Sequence, residues 1–336
     1  MRTYVSDNGA VMLTDTIVAD GHVPGLLARV VTHVHSDHIA QLRRSIREAA
    51  FLLATPLTHD LLSAMGYTVP FSKRVEASYH TRLRIEDYVV ELHPANHVPG
   101  AAQVTVELPG GERVGYTGDF KLPGTEILRD LDVLVIDATY GFEEWQRPWQ
   151  EEVEYLLADI VNDELSRGGV AIYGYNGKQE EVMLLLRRMG VSAPFIVPRR
   201  RIRVIEVLRR HGFELGEVLV EGSAEAFEAR RSGWFVEFRH YNEWKRRRRG
   251  NGSVRMAHVL LTGWEFRAPY RSVGSREWVV SFSDHADFRQ LVEYVSEARP
   301  RLLVVDAARG GAAAAFFARY ASEKLGVRAV AQPLGV

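Results

Sequence analysis

Apolar positions along this chain change texture partway. Through the first 140 residues they come in short Val-, Leu- and Ile-rich runs broken by Gly, Pro and Asp. Runs of that length between turn residues predict strands, here 10–13, 16–19, 29–32, 52–54, 81–85, 88–92, 103–107, 113–117 and 133–137. Gly110-Gly111 predicts a hairpin turn. Helices are predicted at 37–49, where Ser36 or Asp37 can cap, and at 56–65, opened by Pro56 and closed by Gly66. After Tyr140 strands and helices alternate: helix 148–167, strand 170–173, a helix to Met189, strand 195–197, helix 203–211, strands 259–262 and 279–282. Such alternation predicts an α/β unit on a parallel sheet. Strand 302–306, helix 312–324 and strand 328–331 follow. No repeat is visible, and the run Arg246 to Arg249 with Gly-Asn-Gly reads as an exposed loop.

Composition narrows the classes. A length of 336 residues, 46% hydrophobic and 25% charged, suits two soluble domains with ample core. The formal net charge of −1 gives no overall signal for nucleic acid. Only Lys73, Lys121, Lys178, Lys245 and Lys324 among the 42 basic residues are lysine. Arginine suits bidentate phosphate contacts, but coding bias gives the same skew and is the simpler reading. There is no cysteine, so disulfides and thiolate zinc sites are excluded and any metal must be held by His, Asp and Glu. No apolar run is long enough to span a bilayer and the N-terminus lacks a signal-peptide pattern, so the expectation is a cytoplasmic protein with no membrane partner.

The chemistry concentrates in Thr32-His33-Val34-His35-Ser36-Asp37-His38. Imidazole and carboxylate are the usual ligands of catalytic zinc. His33 and His35 alternate along an extended segment and can point one way. Asp37 and His38 can swing to a second metal as the chain turns into a helix. Two further residues stand at strand ends: His97 in Asn96-His97-Val98-Pro99-Gly100, and Asp119 in Tyr116-Thr117-Gly118-Asp119-Phe120. Alone, the first reads as a surface His and the second as a turn Asp; their order after HxHxDH changes that reading.

This series resembles the metallo-β-lactamase superfamily. The resemblance implies an α/β fold, an αββα sandwich of two sheets between outer helices. It also implies that His33, His35 and His97 hold a first zinc, that Asp37 and His38 face a second, and that Asp119 bridges them. Asp20, in Ile17-Val18-Ala19-Asp20-Gly21, is the best match to the residue that braces the metal loop; Asp15 is the weaker one. Mn2+ or Mg2+ could replace the two Zn2+ ions.

Asp137-Ala138-Thr139-Tyr140-Gly141 and Ser281-Phe282-Ser283-Asp284-His285-Ala286-Asp287 are similar to motifs of the β-CASP nuclease branch, which serves DNA repair and RNA processing. That likeness implies an inserted α/β domain over 140–280, with 1–139 and 281–336 forming the metallo-β-lactamase domain and substrate lying between the two. It pairs Asp137 with His285 as general acid, the carboxylate holding the imidazole protonated, while a metal-bound hydroxide, in a site to which Asp37 belongs, attacks phosphorus. The bland alternative for His285 is a loop residue next to a helix cap. Leu261-Thr262-Gly263-Trp264, some twenty residues before SDHAD, resembles DNA-ligase-associated exonucleases.

One departure stands out. Many RNA nucleases of the branch carry a late His that ligates the second metal, but no His follows His285. Asp306 replaces it as an oxygen ligand, or is a plain strand-end residue beside a weak or empty second site, as in Artemis-like DNA nucleases. The expected activity is an exonuclease on DNA, acting on single strands or ends. The alternative is an RNA-processing nuclease. A thioesterase or lactonase, or a non-catalytic nucleic-acid-binding subunit, fits less of the chain. Lys178, at a helix start, with Arg200, Arg201 and Ser283 are the candidate strand contacts; an ordinary helix cap with a solvated Lys is the better reading of the first, and solvated charge explains the two arginines equally well. Trp145 and Trp149 could stack bases but suit core packing better.

Overall fold

Alternate residues of the short strands sort into opposite cores, as the two-residue period of a strand requires. The computed structural model describes residues 3–247 and 256–333. The chain divides into one unit of residues 1–146 with 284–336 and another of residues 147–283.

The first unit holds two sheets. Tyr4–Val5, Val11–Met12, Ile17–Ala19, Ala28–Val30, Phe51–Ala54 and Arg74–Glu76 form a six-stranded mixed sheet in chain order. Leu83–Ile85, Tyr88–Pro94, Ala102–Glu107, Arg113–Tyr116, Val133–Ile136, Leu302–Asp306 and Ala329–Gln332 form a seven-stranded one. Val30 and Leu53 of the first sheet join Val133, Val135 and Val304 of the second in one buried core. Their neighbours face outward. Leu134, Ile136, Leu303 and Val305 pack with Leu291 and Phe317 of the helices Phe288–Ala298 and Ala307–Lys324. Val31, Leu52 and Ala54 pack with Leu42 and Leu62 of Leu42–Glu48 and Pro56–Ala64. The layers therefore run helix, sheet, sheet, helix.

The second unit has a seven-stranded sheet in which Val218–Val220, Phe195–Val197, Val236–His240, Val170–Gly174, Ala257–Thr262 and Glu277–Ser281 run parallel. An antiparallel edge strand, Tyr270–Gly274, is mostly exposed and lacks the apolar alternation by which sequence reading finds strands. The arginine run begins on the helix Tyr241–Arg247 rather than in a loop; Arg248, Arg249 and Gly-Asn-Gly lie outside the described residues.

Another difference touches the His cluster. The helix expected from residue 37 begins at Leu42, because Gln41 adopts a left-handed φ of 53° and ends a turn over 36–41. Neither Ser36 nor Asp37 caps it. Asp37 and His38 thus sit on that turn, ahead of the helix, enclosed by the bonds from His38 N and Ile39 N to the His35 carbonyl.

Strand register gathers the chemistry. Ala19 pairs with Val30, and Ile136 with Val305, in parallel. Asp20, the His33–His38 loop, Asp137 and Asp306 therefore all leave the same ends of their strands. Asp119 follows Arg113–Tyr116, whose Tyr116 pairs with Val135, and His97 lies on the loop joining Tyr88–Pro94 to Ala102–Glu107. Loops at strand ends, held by a rigid scaffold, are where sites are commonly built.

Leu134→Ala should cost about 2–5 kcal/mol, because its fully buried side chain fills the core between sheet and helices. Urea unfolding followed by circular dichroism checks this; an unshifted midpoint would contradict the packing.

Candidate metal centre

Four side chains from three loops meet in the first unit. His33, His35, His97 and Asp119 each bring one ligand atom to within 4.8 Å of the others. Asp119 Oδ2 lies 3.5 Å from His33 Nε2 and 3.6 Å from His97 Nε2, and His97 Nε2 lies 3.1 Å from His35 Nδ1. The other oxygen, Oδ1, is 3.2 Å from His38 Nε2, which is 3.3 Å from Asp37 Oδ2. Asp37 is the most exposed of these, and joins none of the groups of three or more ligand atoms found among the described residues.

Three of the four rings, those of His33, His38 and His97, are oriented from behind. Asp20, fully buried, accepts from Thr32 N at 2.9 Å and Thr32 Oγ1 at 2.5 Å, and lies 2.8 Å from His38 Nδ1. Thr32 Oγ1 in turn lies 3.0 Å from His33 Nδ1. His97 Nδ1 is 2.6 Å from the carbonyl oxygen of Asp284. Such partners behind the ligands fix ring orientation in metal sites. Thr32 and Asp284 were not singled out from sequence, although each directly precedes a site His.

Charge is divided within the cluster. Burial, with the neighbouring His38, lowers the pKa of His33; burial and His33 push His35 down to about 3; burial, His33 and His35 take His97 well below the usual range. The shifts favour the neutral form of all three, the form that binds metal. His38 goes the other way: burial opposes its charge, but Asp119 and Asp20 outweigh that. Burial likewise opposes ionisation of Asp119, which His38 and His285 override, and of Asp37, which His38 overrides.

A metal fits this donor set. His33 Nε2, His35 Nε2, His38 Nε2 and Asp119 Oδ1 are buried atoms without hydrogen-bond partners. Buried polar atoms are rarely left so, and nitrogen and oxygen donors converging from several loops are what a borderline-soft divalent ion takes.

His285 stands at the margin of this cluster, one-fifth exposed. Its Nδ1 is 2.9 Å from Asp137 Oδ2, and its Nε2 is 3.7 Å from Asp119 Oδ2. Asp137 is itself fixed, Oδ1 accepting from Thr139 N at 2.9 Å and Thr139 Oγ1 at 2.8 Å. Burial disfavours the imidazolium, but Asp119 and Asp137 outweigh it and raise the His285 pKa to about 10.

Asp306 is occupied elsewhere. Its Oδ1 accepts from Arg309 N at 3.2 Å, capping a helical turn, and its Oδ2 from Arg309 Nη1 at 2.6 Å. In the second unit Lys178 is buried and donates to the Phe282 carbonyl, Arg201 is buried against Glu180, and Ser283 is buried. Arg200 is exposed, at an open cavity of about 890 Å³ that Arg239, His240 and Arg246 also line. Trp145 packs on Tyr140 and Phe142 in the first unit.

A family model described as a beta-lactamase superfamily domain matches residues 16–214. An uncharacterized protein from the lig 3′ region of Acidianus ambivalens is 49% identical over 137 residues, 40% of this chain and 97% of that protein. The Probable RNase MJ4 of Methanocaldococcus jannaschii is 26% identical over 170 residues, 47% of this chain and 38% of that protein. The DNA cross-link repair 1A protein of Mus musculus is 31% identical over 144 residues, 40% of this chain and 13% of that protein. The matches thus span well under half the length of the latter two relatives. A solved protein of unknown function from Enterococcus faecalis shares the fold, with a TM-score of 0.56 at 12% identity, over 88% of this chain and 89% of that one.

Asp20→Ala should weaken metal binding by about 10–100-fold, since it frees Thr32 and His38 together. Competition against a chromophoric chelator measures this; an unchanged affinity would show that the loop holds itself.

Proposed function

Because the chain belongs to the metallo-β-lactamase superfamily, we propose that it is a metal-dependent nuclease hydrolysing nucleic-acid phosphodiester bonds, with His285 as general acid. The observation that carries this reading is the His285–Asp137 pair at 2.9 Å beside the ligand cluster. An expelled alkoxide is a poor leaving group unless a proton reaches it in the transition state. His285 presents Nε2 towards the cluster while Asp137 holds Nδ1, so the ring is aimed and charged. A thioesterase or lactonase would have little call for such a pair.

His33, His35, His97 and Asp119 would hold a zinc ion, with Asp37 and His38 facing a second position and Asp20 as brace. Bound there, zinc supplies Lewis acidity and a water acidic enough to serve as nucleophile near neutral pH. The protein's own residues do the rest. Three neutral imidazoles and one carboxylate fix where the phosphate must lie, and His285 holds the proton for the departing oxygen.

Residues 140–280 are proposed as the β-CASP-type insertion that receives the strand. Arg200, Arg239 and Arg246 around one open cavity, with Tyr175 half exposed and stacked on Tyr241 at 4.8 Å, support a contact with phosphates and bases. Lys178, Arg201 and Ser283 would act from behind such a surface. We put DNA ahead of RNA and exonuclease ahead of endonuclease. The support for DNA is the missing late His and the likeness to a DNA cross-link repair protein. The likeness to an RNase keeps RNA processing as the second reading.

Matched labelled DNA and RNA strands, free or blocked at the 5′ end, incubated with zinc or manganese, test this. Stepwise shortening of DNA is expected, and chelation should abolish it. No cleavage of either polymer by metal-loaded protein would overturn the nuclease reading.

His285→Ala should lower kcat by about 10²–10⁴-fold on a substrate with a poor leaving group while oligonucleotide binding persists. An unchanged rate would remove the general acid. The proton on His285 is present below its pKa and lost as pH rises through it. Asp137→Asn removes a carboxylate that raises that pKa, so the alkaline limb of kcat should move to lower pH. A limb that stays in place would assign Asp137 a purely structural part.

A further inference from the structure

Arg309 carries a buried charge that the proposed mechanism does not use. It lies on the short turn between the strand Leu302–Asp306 and Gly311, where a non-helical φ of 54° interrupts the following helix. Its guanidinium is held on two sides, Nη1 donating to Asp306 Oδ2 at 2.6 Å and Nη2 to the Asp20 carbonyl at 3.0 Å. Gly9 closes a third side. A Cβ there would meet the guanidinium at 3.5 Å, and the glycine's φ of +76° suits few other residues. The remaining nitrogen, Nε, is buried without a hydrogen-bond partner and points towards Asp37, 3.6 Å from Oδ2.

The two halves of the site therefore differ. The cations beside His33, His35, His97 and Asp119 are imidazoles, which can give up their proton: His285 Nε2 lies 3.7 Å and His38 Nε2 3.2 Å from the Asp119 carboxylate. On the other side Asp37 faces a guanidinium that cannot lose its proton, and Asp306, the nearby carboxylate able to add a ligand, is bound to the same group. A dication between Asp37, His38 and Asp119 Oδ1 would compete with that charge for Asp37 and be repelled by it. Opposite charges a few ångströms apart attract in a partly buried site, so the guanidinium offsets part of the pull that Asp37 would exert on a second ion.

We propose that Arg309 is the permanent second cation of this site. The chain binds one divalent ion tightly, at His33, His35, His97 and Asp119, and the Asp37/His38 position takes a second only weakly because the guanidinium already neutralises it. This rests on the metal-centre reading above, and concerns how many ions that centre holds.

Metal-stripped protein titrated with Zn2+ by calorimetry, with the bound metal counted by elemental analysis after gel filtration, tests the proposal without reference to activity. One tight equivalent is expected for the native chain. Arg309→Met removes the charge but strands a buried carboxylate, which can unfold the site. The variant to rely on is therefore Arg309→Met with Asp306→Asn, where Asn keeps the helix cap. Folded by circular dichroism, it should bind a second Zn2+ at least about tenfold more tightly than the native chain does, and adding Asp37→Asn should abolish that gain. Two equivalents of similar affinity in the native chain would overturn the proposal, as would a folded double variant whose second site is unchanged. A native chain that takes up no zinc at all would overturn the metal centre itself.

Discussion

The site depends on one buried carboxylate. Asp20 lies fully buried at the end of its strand with a left-handed φ of 50°, a conformation that Asp tolerates better than most residues. From there it accepts from Thr32 N and Oγ1 and meets His38 Nδ1, while its carbonyl holds Arg309. A carboxylate taking several hydrogen bonds in a low-dielectric interior is strongly held in place. The His33–His38 loop and the Arg309 turn are thereby tied to the same residue, although Asp20 and Arg309 stand 289 positions apart in the chain.

Around that anchor, burial alone would make every ionisable group neutral. It succeeds with His33, His35 and His97 because each has other imidazoles for neighbours. It fails with His38 and His285, which Asp119 also faces and which each have a carboxylate in direct contact, Asp20 at 2.8 Å from one and Asp137 at 2.9 Å from the other. Side chains of one type are thus driven towards opposite protonation states by what lies beside them.

Much of this was legible along the chain. HxHxDH stands out unaided, while His97, Asp119, Asp137 and His285 were legible through the resemblance of their order and short motifs to the superfamily and its β-CASP branch. The strands at 133–137 and 302–306 were legible because they are continuously apolar. The edge strand Tyr270–Gly274 was not, since an exposed strand carries no alternation. The start of the helix at Leu42 was hidden because nothing in Gln41 announces a left-handed residue. Arg309 was passed over in a chain where arginine is the commonest basic residue and a single one carries no pattern.

By itself, the sequence determined which side chains are available, because ligand spacing and apolar periodicity are local properties. Only the tertiary structure decided their partners. Parallel register puts Asp137 and Asp306 side by side, yet Asp137 turns to His285 and Asp306 to Arg309. Asp306 therefore ends as the counter-charge of a guanidinium and not in the ligand cluster. That outcome depends on which loop approaches which strand end, and a buried charge takes the nearest opposite charge that the fold provides.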